Sequence, residues 1–259
     1  MSQSIARPVV LVGVGEIGAI FAQGFLKLGH PVVPVTRAQT LMPVLAATPD
    51  AEALVLAVGE AALPEVLRAV PADWHDRLVL LQNELLPRDW LSAGIEDPTV
   101  ISIWFEKKPG KVAKPLIPSP VYGRQSALVQ AALATLNLPV RVVTSRAAML
   151  QELVIKNVYI LTTNIAGLRV GGDVATLWQA HRPLAEAVAA EVIALQEKLV
   201  QQPLDHAALI DGMLAGFEGD PTHACKGRTA AARLQRALLL AAELGLKLPT
   251  LQAIAAEQP

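Results

Sequence analysis

The stretch Gly13-Val14-Gly15-Glu16-Ile17-Gly18 has the spacing G-x-G-x-x-G, and it stands between the apolar run Pro8–Val12 and a helix-like segment, Glu16–Leu28. Few folds satisfy all three parts at once. A buried strand must end in a tight turn, and that turn must open directly into a helix. Gly13 permits the turn, Gly15 lets the backbone approach a ligand, and Gly18 lets helix and strand pack closely. The helix N-terminus then offers N–H groups and a positive dipole end to an anion. In this context Gly13, Val14, Gly15, Glu16, Ile17 and Gly18 read as the pyrophosphate turn of a dinucleotide site. Without the context the same glycines make an ordinary turn.

Three further runs, Pro31–Val35, Ala53–Val58 and Leu78–Gln82, are apolar at successive positions, as strands buried on both faces should be. Helix-like stretches separate them, the first stopped by Gly29 in a C′ position. Strand–helix–strand alternation predicts βαβ units and a parallel sheet with helices on both faces. Val100–Phe105 and Val112–Ile117 flank a Pro109-Gly110 turn signal and predict a hairpin near the sheet edge.

Proline divides the chain. Of its 19 prolines, 14 fall in residues 1–139 and none between Val140 and Arg182. Because proline is expelled from helix interiors, the second half should consist of long helices. The spacing predicts a helix from Arg146 to Leu168 stopped by Gly171-Gly172, then helices over Val174–Val200, Asp205–Phe217 with Asp205 as N-cap, and Gly227–Leu244 before Gly245. A chain of 259 residues is long enough for two domains. The expected fold is α/β: an N-terminal Rossmann-like parallel-sheet domain over residues 1–145, followed by an all-helical domain over 146–259.

Which dinucleotide is bound depends on the end of the second strand. An acid about 20 positions beyond the glycines accepts the ribose hydroxyls of NAD, whereas a base accommodates the 2′-phosphate of NADP. Here Thr36 and Arg37 end the strand, and no acid follows until Asp50. Arg37 can grip a phosphate through two charge-assisted bonds and Thr36 can add a hydroxyl, so NADP (NADPH) is the expected cofactor. The alternative is a solvated loop arginine.

In the second half, Leu153–Leu161 is apolar nearly all round, with Lys156 and Asn157 as its strongly polar residues. At about 100° per residue, Thr163 and Asn164 return within roughly one quadrant of Lys156 two turns later. A buried lysine is costly, and burial depresses its pKa toward the range useful for proton transfer. Lys156 can thus donate a proton to a carbonyl oxygen during hydride transfer. Glu152, four residues earlier, offers the alternative of an ordinary i,i+4 surface pair.

Composition removes several other function classes. Hydrophobic residues make up 53%, charged residues 17%, and the net charge is −1, which excludes an intrinsically disordered chain. No basic excess is present to hold nucleic acid. Cys225 is the single cysteine, and His30, His75, His181, His206 and His223 lack metal-site spacing, so no metal is expected. His223 reads as a surface-loop histidine, and the Glu106-Lys107-Lys108 hairpin tip as a solvated charge cluster before a cofactor or substrate contact. No run approaches the roughly 18 apolar residues of a membrane span, and no signal peptide is evident, so a cytoplasmic location is expected. One exposed helical face would suffice for a homodimer.

With the glycine turn, the Gln82-Asn83 pair ending a strand and the Lys156…Asn164 spacing in place, the sequence resembles the ketopantoate reductase (2-dehydropantoate 2-reductase) family over most of its length. The resemblance implies a helical domain like that of 6-phosphogluconate dehydrogenase, NADPH as cofactor, and an active site between the domains. It implies reduction of a small 2-keto acid, the step that places the family in pantothenate biosynthesis. By the same resemblance Lys156 is the proton donor, Asn83 touches nicotinamide and substrate, and Asn164, with Thr163 beside it, binds substrate. The chain departs from the family pattern at four places. Gly59-Glu60 stands where a lysine is usual, Glu84 where glycine is usual, Ile160 where asparagine is usual, and Arg228–Ala232 where a glutamate is usual. Those departures leave two alternatives open: a reductase of another carbonyl or imine, and an NADP-binding protein of this fold without reductase activity.

Overall fold

Val9–Val12 forms β1, buried throughout, in the computed structural model, which describes residues 6–258. The other strands are β2 (Val32–Val35), β3 (Ala53–Leu56), β4 (Leu78–Leu80), β5 (Thr99–Ile101), β6 (Phe105–Glu106), β7 (Lys114–Pro115), β8 (Ser119–Tyr122) and β9 (Val140–Val142). The main sheet has the order β2-β1-β3-β4-β5-β8-β9. Its neighbours are parallel except β5 and β8. The order turns back at β1, whose neighbours β2 and β3 lie on opposite sides. In sheets of this kind the carboxyl ends of the strands at the turning point form the ligand crevice.

The helices are α1 (Glu16–Lys27), α2 (Leu41–Ala47), α3 (Leu63–Ala69), α4 (Pro87–Leu91), α5 (Ser126–Ala134), α6 (Arg146–Val170), α7 (Val174–Ala180), α8 (Arg182–Val200), α9 (His206–Gly219), α10 (Ala230–Glu243) and α11 (Pro249–Ala256). The chain divides into two compact units between Glu152 and Leu153. In the first, Phe21 and Phe25 of α1 pack with Val9, Leu11, Val55 and Val79 of the sheet and with Val129 and Leu133 of α5. Each such side chain stabilises the unit by about 1.5–3 kcal/mol on burial. α1 ends as its sequence implies. Gly29, at φ 88°, donates its N–H to Leu26 O, and His30 donates to Phe25 O.

Several expected elements differ. β2 is an edge strand, half-buried with Pro34 exposed, because Pro34 has no N–H to give a second neighbour. The hairpin is a separate two-stranded ribbon of β6 and β7, with two residues in each strand, while β5 belongs to the main sheet. β8, α5 and β9 have no counterpart in the sequence reading, for Pro118 and Pro120 mask β8 and β9 is largely exposed.

In the second unit the expected helix over Val174–Val200 is two helices. Pro183 starts α8, and His181 leaves the helical region at φ −128°, ψ 29°. Gly171 and Gly172, at φ 65° and 72°, end α6, and Asp205 caps α9 by accepting from Ala208 N–H at 3.1 Å. α10 begins at Ala230 rather than Gly227, and α11 follows a second proline start. No helix among the described residues is long and apolar enough to cross a membrane.

Candidate functional site

The glycine turn follows β1 at its carboxyl end. Gly13 has φ 90°, and a Cβ there would lie 2.7 Å from Ala57 O at the end of β3. A Cβ on Gly18 would lie 2.1 Å from Gly13 O, so the turn and α1 can be this close only with glycine at both positions. Gly15 is different. A Cβ on it would meet nothing within 4 Å, and as N-cap of α1 it makes no side-chain cap bond. The backbone therefore opens onto free space at the one glycine whose smallness the packing does not require. That combination fits the pyrophosphate of a dinucleotide, which needs close backbone approach and N–H donors. Glu16, in the first turn of α1, pairs with Lys107 of the hairpin segment at 3.0 Å, and Lys107 is only 16% exposed. From sequence Lys107 is expected in a charged hairpin tip first and in a cofactor or substrate contact second; its side chain is largely shielded, beside the first turn of α1. The pairing is long-range and has no local signal.

At the end of β2, Thr36 and Arg37 are exposed. Thr36 donates both its N–H and its hydroxyl to Gln39 Oε1, at 2.9 and 3.1 Å, which shapes the loop that carries Arg37. At the end of β4 the buried Gln82 splints two strands. Its Nε2 donates to Leu56 O at 2.6 Å and to Val58 O at 3.2 Å, and its Oε1 accepts from Leu81 N–H. Asn83 follows, half-buried in a turn, and Glu84 takes φ 61°. Glycine adopts that left-handed backbone without strain, so Glu84 stands at a position whose backbone favours glycine.

The second unit carries Lys156 on α6. It is half-buried, with its Nζ 5.0 Å from the centre of the Tyr159 ring. Desolvation first, and the charge of Arg233 second, lower it from the ordinary 10.5 to about 7. Glu152 does not fill the surface-pair role, because it accepts from Arg141 Nη2 at 2.7 Å. Around Lys156, Tyr159 meets Phe217 edge-on at 5.7 Å and His223 at 6.3 Å, so His223 is half-buried against a ring. Asn164 is buried, and Gly227 approaches its Oδ1 to within Cβ contact. Thr163 is spent on its own helix, its hydroxyl donating to Tyr159 O at 2.8 Å. Asn157 bonds Gln196 of α8 at 3.0 Å and ties two helices together. Cys225 is buried and pushed up to about 12 by desolvation, which makes it an unreactive thiol.

A lysine brought down to about 7 changes how stability depends on pH. Between about 7 and 10.5 the folded chain binds fewer protons at this site than the unfolded chain. Stability therefore rises with pH across that window, and the cost of the charged form is fully present below it. Lys156→Met should raise the melting temperature more at pH 6 than at pH 10. Equal gains at both pH values, measured by calorimetry, would show that the ammonium is not held at a cost.

Arg233 was not singled out from the sequence. It is buried on α10 with Ala230, Leu234, Ala237 and Ala241, and its Nε donates to Thr229 Oγ1 at 3.1 Å. A charged residue on the i, i+3, i+7 apolar stripe of an alanine-rich helix is the signal that could have found it.

A Rossmann-like sheet unit followed by an all-helical unit is the fold of the ketopantoate reductases and related dehydrogenases, and this chain has it. The chain is similar to 2-dehydropantoate 2-reductase from Methylococcus capsulatus at TM-score 0.69 and 13% identity, over 96% of this chain and 94% of that one. It is similar to a dimeric ketopantoate reductase from Staphylococcus aureus at 0.65 and 13%, over 96% of each. D-mandelate dehydrogenase, solved as a complex with NADH, matches at 0.67 and 11%, over 96% of this chain and 97% of that one. No family model and no curated protein matches the sequence.

Proposed function

We propose that the protein is an NADPH-dependent reductase that transfers hydride to the carbonyl carbon of a small 2-oxo acid, with ketopantoate as the first candidate. The observation that carries the reading is Lys156, a half-buried ammonium brought to about 7. The titration lies where a general acid works best, since both protonation states are populated near neutral pH. NADPH, when bound, supplies the hydride.

The protein's residues do the rest. The N–H groups after Gly13 and Gly15 hold the pyrophosphate, with Val14, Glu16, Ile17 and Gly18 completing the turn. Thr36 and Arg37 hold the 2′-phosphate. Asn83 orients the nicotinamide side of the reaction, and Asn164 offers its amide to the substrate. Lys156 donates a hydrogen bond to the carbonyl oxygen and then its proton as the alkoxide forms. It is left neutral and takes a new proton from water. The carbonyl thus gains one hydride and one proton and becomes an alcohol. In this reading residues 1–145 bind the cofactor, and 146–259 bind substrate and pair two protomers in a cytoplasmic homodimer, as the Staphylococcus aureus neighbour is dimeric.

A second reading keeps the chemistry and changes the acid. Ile160 lies one helical turn after Lys156 and is half-buried, which favours a substrate with an apolar substituent beside its carbonyl. D-mandelate dehydrogenase, solved with anilino(oxo)acetate, is a neighbour of that kind. The test is oxidation of NADPH with ketopantoate and a panel of bulkier 2-oxo acids. Binding of NADPH without turnover of any of them would leave a cofactor-holding protein instead. For the cofactor, Arg37→Ala should weaken NADPH about tenfold to a hundredfold, the worth of charge-assisted bonds to a phosphate, and leave NADH unchanged. Fluorescence titration reads both, and equal losses would remove Arg37 from the 2′-phosphate.

A further inference from the structure

We propose that Gln82 is a positioning residue of the cofactor site. Its side-chain amide holds residues 56–58 against the glycine turn, and so sets the place at which a dinucleotide's pyrophosphate meets the backbone. The role rests on the dinucleotide site of the proposed function.

The backbone ladders that join β3 to its neighbours end before the crevice. The last pair between β1 and β3 is Val12 with Leu56, and between β3 and β4 it is Leu56 with Leu80. Ala57 lies one residue beyond both, and the glycine turn leans on it. Its oxygen bars a Cβ on Gly13, and its Cβ lies 3.3 Å from where a Cβ on Gly18 would be. On the side of β1 the backbone pins Ala57, whose N–H donates to Val12 O at 2.7 Å. On the side of β4 the ladder is gone, and the Gln82 side chain takes its place. Its Nε2 donates to Leu56 O at 2.6 Å and to Val58 O at 3.2 Å, one carbonyl on each side of Ala57. Its Oε1 accepts from Leu81 N–H at 3.1 Å, which locks the amide to the segment that carries it.

The donor count explains why the residue is glutamine. Two carbonyl oxygens and one N–H face the side chain, and a primary amide brings two N–H donors and one oxygen to meet them. Gln82 is 7% exposed, so a lost bond is not readily replaced by water. Without the amide, residues 56–58 lose their hold on β4. The turn packs on Ala57 with no side chain of its own between them, so a shift of Ala57 passes to it directly. Asn83 follows Gln82 in the chain, so the same amide ties the pyrophosphate turn to the residue proposed for the nicotinamide.

The test measures NADPH and NADH affinity by fluorescence titration in wild type, Gln82→Met and Gln82→Glu, with calorimetry to establish that each is folded. Gln82→Met keeps the length of the side chain and loses all three bonds. It should weaken NADPH about tenfold and NADH by the same factor, since both carry the pyrophosphate. Gln82→Glu should stay within about threefold of wild type at pH 5.5 and lose affinity relative to wild type as pH rises. Its protonated form gives one O–H to Leu56 O and one oxygen to Leu81 N–H, whereas its ionised form sets a carboxylate against two carbonyls. Glu60 and Glu84, two residues past Val58 and Gln82, are the titratable groups nearest along the two segments. Every variant keeps both, and the ratio to wild type at each pH removes their contribution. A merely structural amide would lower the melting temperature of both variants and leave the affinity of the folded protein unchanged at every pH. That result would overturn the role. If Gln82→Met does not fold, Gln82→Glu decides, and a ratio to wild type that is independent of pH overturns it. Wild type that binds neither NADPH nor NADH would remove the dinucleotide reading itself, and this role with it.

Discussion

Under the proposed function, Gly15→Ala is expected to weaken NADPH binding and to cost almost no stability, while Gly18→Ala does the reverse in order of effect. At Gly15 an added methyl group meets nothing within 4 Å, and the backbone has φ −76°, which alanine adopts freely. Its melting temperature should therefore stay within the range of neutral surface changes, about 0.5 kcal/mol. The same methyl group would stand where the proposed pyrophosphate comes closest, so NADPH affinity should fall at least about tenfold, or 1.4 kcal/mol. At Gly18 the methyl group would lie 2.1 Å from Gly13 O, a backbone atom that cannot swing aside. Overpacking of that kind costs about 3 kcal/mol, which lowers the melting temperature of the first unit by roughly 10 °C. Loss of stability at both glycines with unchanged NADPH binding in Gly15→Ala would reduce the motif to an ordinary turn.

The second large effect is at Lys156. Lys156→Ala should lower kcat for carbonyl reduction by about 10²–10⁴, the usual contribution of a positioned general acid. NADPH affinity should be unchanged, because the lysine belongs to the second unit and the glycine turn to the first. That split between turnover and cofactor binding separates proton donation from a packing role. Lys156→Arg should not restore the rate, since a guanidinium holds its proton at every working pH. A Lys156→Ala variant as active as wild type would remove Lys156 from the chemistry.

The parts of this fold that could be read from the sequence are those set by local sterics and long periodicity. The glycine turn is specified by six adjacent residues. α6 is long, apolar and closed by Gly171-Gly172, and Asp205 caps its helix through its own side chain. What could not be read depends on partners distant in sequence. The apolar composition of β2 does not reveal that it has one neighbour only, and Pro34 is the clue. The Glu152-to-Lys156 spacing predicts an ion pair as well as it predicts none, and Arg141 on β9 decides the matter by taking the carboxylate. Pro183 was visible but ambiguous, since proline is tolerated in the first turn of a helix. Only the turn of His181 away from helical geometry shows that α7 and α8 are separate. At the candidate site, Lys156, Asn164 and the glycines were named from sequence. Arg233 and the Glu16–Lys107 pair were not, because each acquires meaning only from what folding brings beside it.

The most direct test is the pH dependence of kcat/KM for ketopantoate reduction at saturating NADPH, from pH 5.5 to 9.5. Proton donation by Lys156 predicts a level rate in acid and a tenfold fall per pH unit above about 7, the value set by burial and by Arg233. In Lys156→Ala the residual rate should show no such break. A wild-type rate that stays level through pH 9, or a break that survives in Lys156→Ala, would contradict it.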